Sequence, residues 1–478
     1  MPEFTNILLA RPTVVPPLDP EFRPVALGNR RYRQAVAGGK AKVPLAIALE
    51  RNDGHVFVFK TEILPAGSGH DAVSRLYVER LVKFLLWQIG GWKILIGGPG
   101  EIGEFIAQTY AHSGARAFDA KLMEQVYERP FTVETADLAK VPVAHESFVA
   151  LGGHLDGCRI GFDLGASDYK LAAVKEGEAV FTTEIPWDPR VEADPDWHYQ
   201  KINDGLQLAA KHLPRVDAIG GSSAGIYIDN KVMVSSLFRA VPPALFAQKV
   251  KPLFLNLRRE WSVPLEVAND GDVTALAGAM SLQRNAVLGV AMGSSQAAGF
   301  LDAQSRITGW LNELAFAPVD YNPDAAADEW SGDIGCGAQY FSQQAVVRLA
   351  PAAGIDLPKG YPAEQLKYVQ ELHQQGDPRP PRIFQTIGAY LGYGLAHYAE
   401  MYDFRHLLVL GRVTSGAGGE LIVQQANEVL RADFPELTQK LSLHLPDEKS
   451  KRVGQAVAAA SLPKIGKSAT SGRAGGFP

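Results

Sequence analysis

Apolar and polar positions alternate in short runs along much of the chain, and glycine- or proline-rich turns separate these runs from stretches of helical spacing. In Arg159 to Lys170, RIGFDLGASDYK, Ile160, Phe162 and Leu164 alternate with small or polar neighbours and lead into Gly165-Ala166-Ser167. This pattern predicts a half-buried strand opening into a tight turn. Leu171 to Val174 continue as a second strand, Glu176-Gly177-Glu178 makes a second turn, and a third strand is expected from Val180 to Ile185.

Upstream, Val43 to Leu49 and Val56 to Leu64 are apolar runs around Asn52-Asp53-Gly54, a strong hairpin signal. Ala72 to Trp87 has helical spacing, with Val73, Leu76, Tyr77, Leu81, Phe84 and Leu85 on one face. A short strand from Trp92 to Ile96, the turn Gly97-Gly98-Pro99-Gly100 and a helix from about Glu101 to Ala111 then make an α/β unit. That turn is no GxGxxG and reads as a close helix–strand crossing rather than a nucleotide loop. Residues 1–42 read as an arm, with Pro12, Pro16, Pro17 and Pro20 followed by a basic patch of Arg30, Arg31, Arg33, Lys40 and Lys42, a solvated face.

Downstream, a helix is expected from Pro195 to His212, and a strand from Val216 to Gly220 leads into the small residues Gly221 to Gly225. Pro264 to Val267 is another short strand and delivers Asn269 and Asp270 to the start of a helix whose buried face is Val273, Leu276, Ala277 and Met280. Ala286 to Met292 runs into Gly293-Ser294-Ser295-Gln296, and Ala297 to Leu301 continues beyond it. Residues 318–340 are polar and loop-like, and a proline-rich insertion spans Pro351 to Pro381. A long helix from Arg382 to Met401, a strand from His406 to Leu410, a loop from Gly411 to Gly419 and a helix to Leu430 follow. The tail after Pro463 is expected to be disordered.

The 478 residues suggest two or three domains, and 46% hydrophobic with 21% charged residues is ordinary for a globular enzyme. A net charge of -5 argues against a nucleic-acid partner. The two cysteines, Cys158 and Cys336, give no disulfide framework and suit a reducing compartment. No leader or membrane-spanning run is present in the sequence, so a cytoplasmic location without membrane contact is expected.

Three turns are sized for phosphate: Gly165 to Ser167, Gly293 to Ser295 and Gly411 to Gly419. Backbone N–H groups in such turns form anion-binding concavities, and Asp163 at a strand end can hold the magnesium that accompanies nucleotide phosphate. Asp and Gly also serve hairpin turns for backbone reasons alone. The four aromatics Trp310, Phe316, Tyr321 and Trp330 can wall a pocket, with core packing the simpler reading. His154, His198 and His397 stand without a second histidine at metal spacing and read as structural.

Over about residues 156–462 the set resembles the superfamily of sugar kinases, actin and Hsp70, and within it the ROK family of sugar kinases and sugar-responsive repressors. DLGAS at Asp163 to Ser167 resembles the first phosphate motif, AND at Ala268 to Asp270 the catalytic element, and MGSSQAAG at Met292 to Gly299 the second phosphate motif. NEL at Asn312 to Leu314 and VLGRVTSG at Val409 to Gly416 resemble the sugar and adenosine motifs. The resemblance implies an α/β, two-lobed ribonuclease-H-like (actin/hexokinase-type) ATPase fold, with an additional α/β region at 43–155 and a tail at 463–478. It implies transfer of the ATP γ-phosphoryl group to a sugar hydroxyl, with Asp270 as general base. Asn269 and Glu313 would bind sugar; Ser223 and Gly225 line the sugar site or simply turn tightly. Gly165, Ser167, Gly293, Ser294 and Gly411 would contact ATP, with magnesium at Asp163. ROK proteins are commonly dimers, so a homodimer is implied.

The departures are as informative. Where the family has a zinc motif the chain reads EWSGDIGCGA, Glu329 to Ala338, keeping only Cys336, and Phe316 stands in the place of the histidine ligand. No structural zinc is therefore expected. Ser295 and Arg412 replace loop glycines, and Glu313 beside Leu314 can instead cap the next turn. No helix-turn-helix pattern precedes residue 156, which speaks against a DNA-binding repressor. The alternative is a catalytically inactive, sugar-sensing or ligand-binding ROK-like protein.

Overall fold

The computed structural model describes residues 7–146, 151–166, 168–446 and 450–465. Ser167 and the tail beyond residue 465 lie outside the described residues. The chain forms two compact units, one of residues 1–150 with 270–448 and the other of 151–269 with 449–478.

In the first unit, the arm carries a helix that hydrophobic patterning did not announce, α1 (Val25–Gly38). Strands β1 (Val43–Glu50) and β2 (Val56–Ile63) pair antiparallel from Val43 opposite Ile63 to Glu50 opposite Val56. Asp53 and Gly54 turn the hairpin at φ of 59° and 73°, the left-handed region that Asp and Gly tolerate. Helix α2 (Asp71–Ile89), strand β3 (Lys93–Gly97), helices α3 (Gly100–Thr109) and α4 (Ala117–Tyr127), and strand β4 (Thr132–Ala136) complete a four-stranded sheet in the order β2-β1-β3-β4. A close helix–strand approach lies at Gly103 of α3, where a Cβ would be 2.1 Å from Thr135 Oγ1 of β4, and not in the turn itself: a Cβ on Gly98 would meet Pro44 O of β1 at 3.0 Å and one on Gly100 would meet nothing.

The second unit is built on an antiparallel meander, β5 (Cys158–Leu164), β6 (Asp168–Lys175) and β7 (Glu178–Pro186). Helix α5 (Pro195–Ala210) follows, its Asp194 cap accepting the Asp196 N–H at 2.9 Å with Pro195 in the first turn. Strand β8 (Ala218–Ser223), the small hairpin β9 (Ile226–Ile228) and β10 (Lys231–Val234), the short α6 (Pro243–Leu245), α7 (Leu253–Trp261) and β11 (Leu265–Asn269) follow in order. The sheet order is β11-β8-β5-β6-β7, with β11, β8 and β5 parallel.

Back in the first unit, α8 (Asp270–Leu282) begins at the residue after β11. It is buried through Gly271 to Leu276 and at Gly278 and Ala279, while Ala277 and Met280 of the expected face are half-exposed, so its buried surface differs from the expected stripe. Strands β12 (Val287–Met292) and β13 (Gln296–Leu301), helices α9 (Gln343–Leu349), α10 (Pro362–Gln374) and α11 (Pro380–Tyr398), strand β14 (His406–Leu410), helices α12 (Ala417–Asp433) and α13 (Pro435–Thr438), and strand β15 (Ser442–His444) follow. Their sheet runs β13-β12-β14-β15, with β12 parallel to β14 and β14 parallel to β15. One apolar core joins this sheet and α11 to Phe22, Ala26 and Phe84 of the first 150 residues. The last helix, α14 (Ser450–Ala460), belongs to the second unit, where Gly161 of β5 and Gly220 of β8 let its backbone lie against the sheet. Among the described residues no helix is long and apolar enough to cross a membrane.

Candidate functional site

Strand β11 ends at Asn269 and α8 starts at Asp270, so the aspartate sits half-buried in the first turn of a helix, where N–H groups and the helix dipole favour an anion. Its Oδ1 accepts the Gly271 N–H at 3.1 Å. Two residues on, the buried Asp272 accepts a hydrogen bond from Asn312 Nδ2 at 3.0 Å, and Asn312 Oδ1 in turn accepts the Tyr402 hydroxyl at 2.9 Å. Burial pushes the Asp272 carboxyl up to about 7, with the Asp270 charge adding to it and the Asn312 hydrogen bond opposing it. Burial, followed by the charges of Asp270 and Asp272, pushes the Glu313 carboxyl up to about 8. Glu313 precedes a one-turn 3-10 helix, Leu314–Phe316, but its side chain makes no capping bond there. Three carboxyls thus gather at the head of α8: Asp270, Asp272 and Glu313.

The carboxyl ends of the parallel strands β12 and β14 place two of the expected turns side by side, the position where open α/β sheets bind ligands. Gly411 has φ 101°, and a Cβ there would lie 2.4 Å from Met292 O, so only glycine allows the two turns to touch. The Gly293 N–H donates to Ser295 O at 3.0 Å within its own turn, and Ser294 and Ser295 are exposed. After Gly411 a 3-10 turn, Arg412–Thr414, leads to the N-terminus of α12. Arg412 is exposed, and its carbonyl accepts Gln370 Nε2 at 2.8 Å.

In the second unit, Asp163 lies buried near the end of β5 and accepts the Ser222 hydroxyl at 2.7 Å, with Lys170 Nζ 3.8 Å from its other oxygen. Burial raises its carboxyl, while Ser222 and Lys170 work against that rise. Gly165 N–H donates to Asp168 O at 3.0 Å and Gly165 O accepts Trp187 Nε1 at 2.8 Å, so this glycine is held within the hairpin. Asn269 Nδ2 donates to Gly225 O at 2.7 Å, which brings two of the expected sugar-binding residues together. Ser223 Oγ accepts the Tyr227 hydroxyl at 2.6 Å. Gly225 has φ 127°, and a Cβ would lie 2.3 Å from Val234 O, so tight turning explains this glycine by itself.

Sequence reasoning missed Asp272, Asn312, Ser222 and Lys170. Only Asp272 carried a signal, the Asp270-Gly271-Asp272 run at a helix start. Phe316 and Tyr321 follow the packing reading, Phe316 stacking on Trp87 at 4.2 Å and Tyr321 donating to Asn29 at 2.7 Å, whereas Trp330, 5.9 Å from Phe316, is exposed. His198 is buried, its Nε2 3.2 Å from Glu192 O, and His397 packs on Phe84 at 4.3 Å.

No group of three or more His, Cys, Asp or Glu side chains suited to a metal ion occurs among the described residues. Asp163 fits magnesium as a single carboxylate contact, because that ion takes its other oxygens from phosphate and water. Zinc does not fit at the place the resemblance assigns it. Cys336 Sγ donates to Asp333 Oδ2 at 3.3 Å, and that carboxylate already pairs with Arg80 at 3.0 Å, Lys83 at 3.2 Å and Arg116. Burial pushes the Cys336 thiol far up, so it is protonated and unsuited to a metal, and three cations repel one.

No protein-family profile matches the sequence, and no curated protein matches it. Solved structures do match in three dimensions. A ROK hexokinase from Thermus thermophilus is 16% identical, with a TM-score of 0.50 over 63% of this chain and 97% of that one. A ROK family transcriptional regulator, a homolog of the E. coli MLC protein, is 19% identical, with a TM-score of 0.52 over 65% and 79%. A ROK family glucokinase from Streptomyces griseus, solved with glucose and AMPPNP, is 21% identical, with a TM-score of 0.48 over 64% and 99%. The resemblance to ROK proteins read from the sequence is thus borne out at the level of the fold.

Proposed function

Starting from a chain with the α/β fold of ROK sugar kinases and regulators, we propose that this protein is an ATP-dependent kinase of a sugar or sugar-like hydroxyl. One observation carries the reading: Asp270 heads α8 beside Asp272 and Glu313, in the same unit as the touching turns at Gly293 and Gly411. A hydroxyl is a weak nucleophile at neutral pH, so Asp270 takes its proton while the oxygen attacks the γ-phosphorus and ADP departs with the bridging electron pair. Glu313, carrying a proton at neutral pH, donates a hydrogen bond to a sugar oxygen, and Asn269, Ser223 and Gly225 are the further sugar-facing groups. Ser294 and the backbone at Gly165, Ser167, Gly293 and Gly411 receive the triphosphate. Asp163 would hold magnesium, which would supply neutralisation of phosphate charge.

A second reading, a ligand-binding protein without catalysis, is favoured by the Gly165 and Gly293 N–H groups, each taken up inside its own turn. Calorimetric titration with AMPPNP separates the two. Magnesium-dependent binding that weakens at least about tenfold in Asp163→Ala supports the kinase. No heat at millimolar nucleotide overturns it in favour of the second reading.

A further inference from the structure

Asn312 and Glu313 are held by a helix that belongs to the first 150 residues. The carbonyls in the last turn of a helix lack intrahelical partners. In α2 two of them accept from this segment: Trp87 O from the Glu313 N–H at 3.0 Å and Gln88 O from the Asn312 N–H at 2.9 Å. Asn312 sits in the left-handed region at φ 52° and is fixed there by its bonds to Asp272 and Tyr402.

The same face of α2 grips the loop that follows. Lys83, fully buried, lies 2.9 Å from Asp119 and 3.2 Å from Asp333, and Arg80 lies 3.0 Å from Asp333. Arg116, just before α4, pairs with both Glu79 and Asp333. Three buried cations thus face three buried carboxylates, Glu79, Asp119 and Asp333, and the set is neutral. Trp87 donates to Asp119 at 3.2 Å and stacks on Phe316, three residues past Glu313.

We infer that α2 is a metal-free brace: Arg80, Lys83 and Trp87 are positioning residues that hold the 309–336 segment, and through it Glu313, with ion pairs and ring stacking where the resemblance would place zinc. Breaking one partner of a buried ion cluster leaves its mates uncompensated, so the effect should concentrate where the cluster ends, on the loop. This deepens the kinase reading only in its kinetic arm, which rests on Glu313 as a sugar ligand.

The test is hydrogen exchange on the full chain carrying Asp333→Asn. The brace predicts amides of 309–336 exchanging at least about tenfold faster, with β12 and β14 of the same unit unchanged. It also predicts that a chelator leaves the unmodified protein's protection as it was. Unchanged exchange in 309–336, acceleration spread evenly through the unit, or loss of protection on chelation would overturn it. Should Asp333→Asn fail to fold, Phe316→Leu keeps every charge and must loosen the same segment. In kinetics, Asp333→Asn should raise the sugar KM several-fold with kcat within about twofold, as Glu313→Ala, which removes the donor, does. A loosened loop with an unaltered KM in Glu313→Ala upholds the brace and removes Glu313 from the sugar site.

Discussion

Asp272 and Glu313 carry folded-state pKa values of about 7 and about 8, both raised, first by burial and then by neighbouring carboxylates. In the unfolded chain such groups titrate near about 4. The folded state therefore binds their protons more tightly, and the stability this lends is fully present below about pH 4 and is lost as pH rises through 7 and 8. Replacing Asp272 with Asn removes one of the two titrations. The decline of unfolding free energy between pH 5 and 8 should become shallower, by up to about 1.4 kcal/mol per pH unit where Asp272 titrates. Urea unfolding at a series of pH values reads this directly, and an unchanged slope would show that Asp272 is ionised at neutral pH in the folded protein. The ion cluster behaves oppositely. Burial alone would raise the Asp333 carboxyl, yet Lys83, Arg80 and Arg116 outweigh it and hold it well below the usual range, so this group stays charged across that whole window.

Among the elements, close backbone approaches set the tightest limits. A Cβ on Gly220 would lie 1.7 Å from Ala459 O of α14, so Gly220→Ala must push the helix off the sheet and cost about 1–3 kcal/mol in denaturant melts. Gly411→Ala combines a strained φ of 101° with a 2.4 Å clash on Met292 O; a loss of about 1–3 kcal/mol and weaker nucleotide binding are expected, the latter read by calorimetry. Short apolar runs bounded by turn residues were legible in the sequence: His406–Leu410 has the expected bounds, and β1, β2, β5 and β12 lie within a residue or two of theirs, although β5, expected to be half-buried, is buried along its whole length. Helices with mixed surfaces were not. Of the basic residues read as a solvated face, Arg31, Lys40 and Lys42 are exposed, while in α1 Arg30 pairs with Glu436 and Arg33 with Glu400. In the insertion, Pro362 opens α10 at its first position, where proline is tolerated, so proline there marks a helix start. Asp270 and Asn269 were legible because they fall at a strand–helix junction. The Asp272–Asn312 bond spans 40 positions, and no local pattern encodes such a pairing.

At the scale of the molecule, the first 150 residues are part of one body with 270–448, because Phe22, Ala26 and Phe84 share a core with Leu288, Val290 and Tyr390. A chain starting at residue 151 should therefore lose cooperative unfolding and bind a hydrophobic dye, as expected when large buried side chains lose their partners; a sharp two-state transition in that truncation would contradict this. The central claim concerns Asp270 and is tested most directly by ADP release from magnesium-ATP on a panel of hexoses, amino sugars and polyols. The full-length protein should turn over at least one of them, and Asp270→Asn should be slower by about 10²–10⁴-fold while its unfolding midpoint stays within a few degrees. Equal rates for the two proteins, or no turnover of any acceptor by a protein that binds ATP, would contradict it.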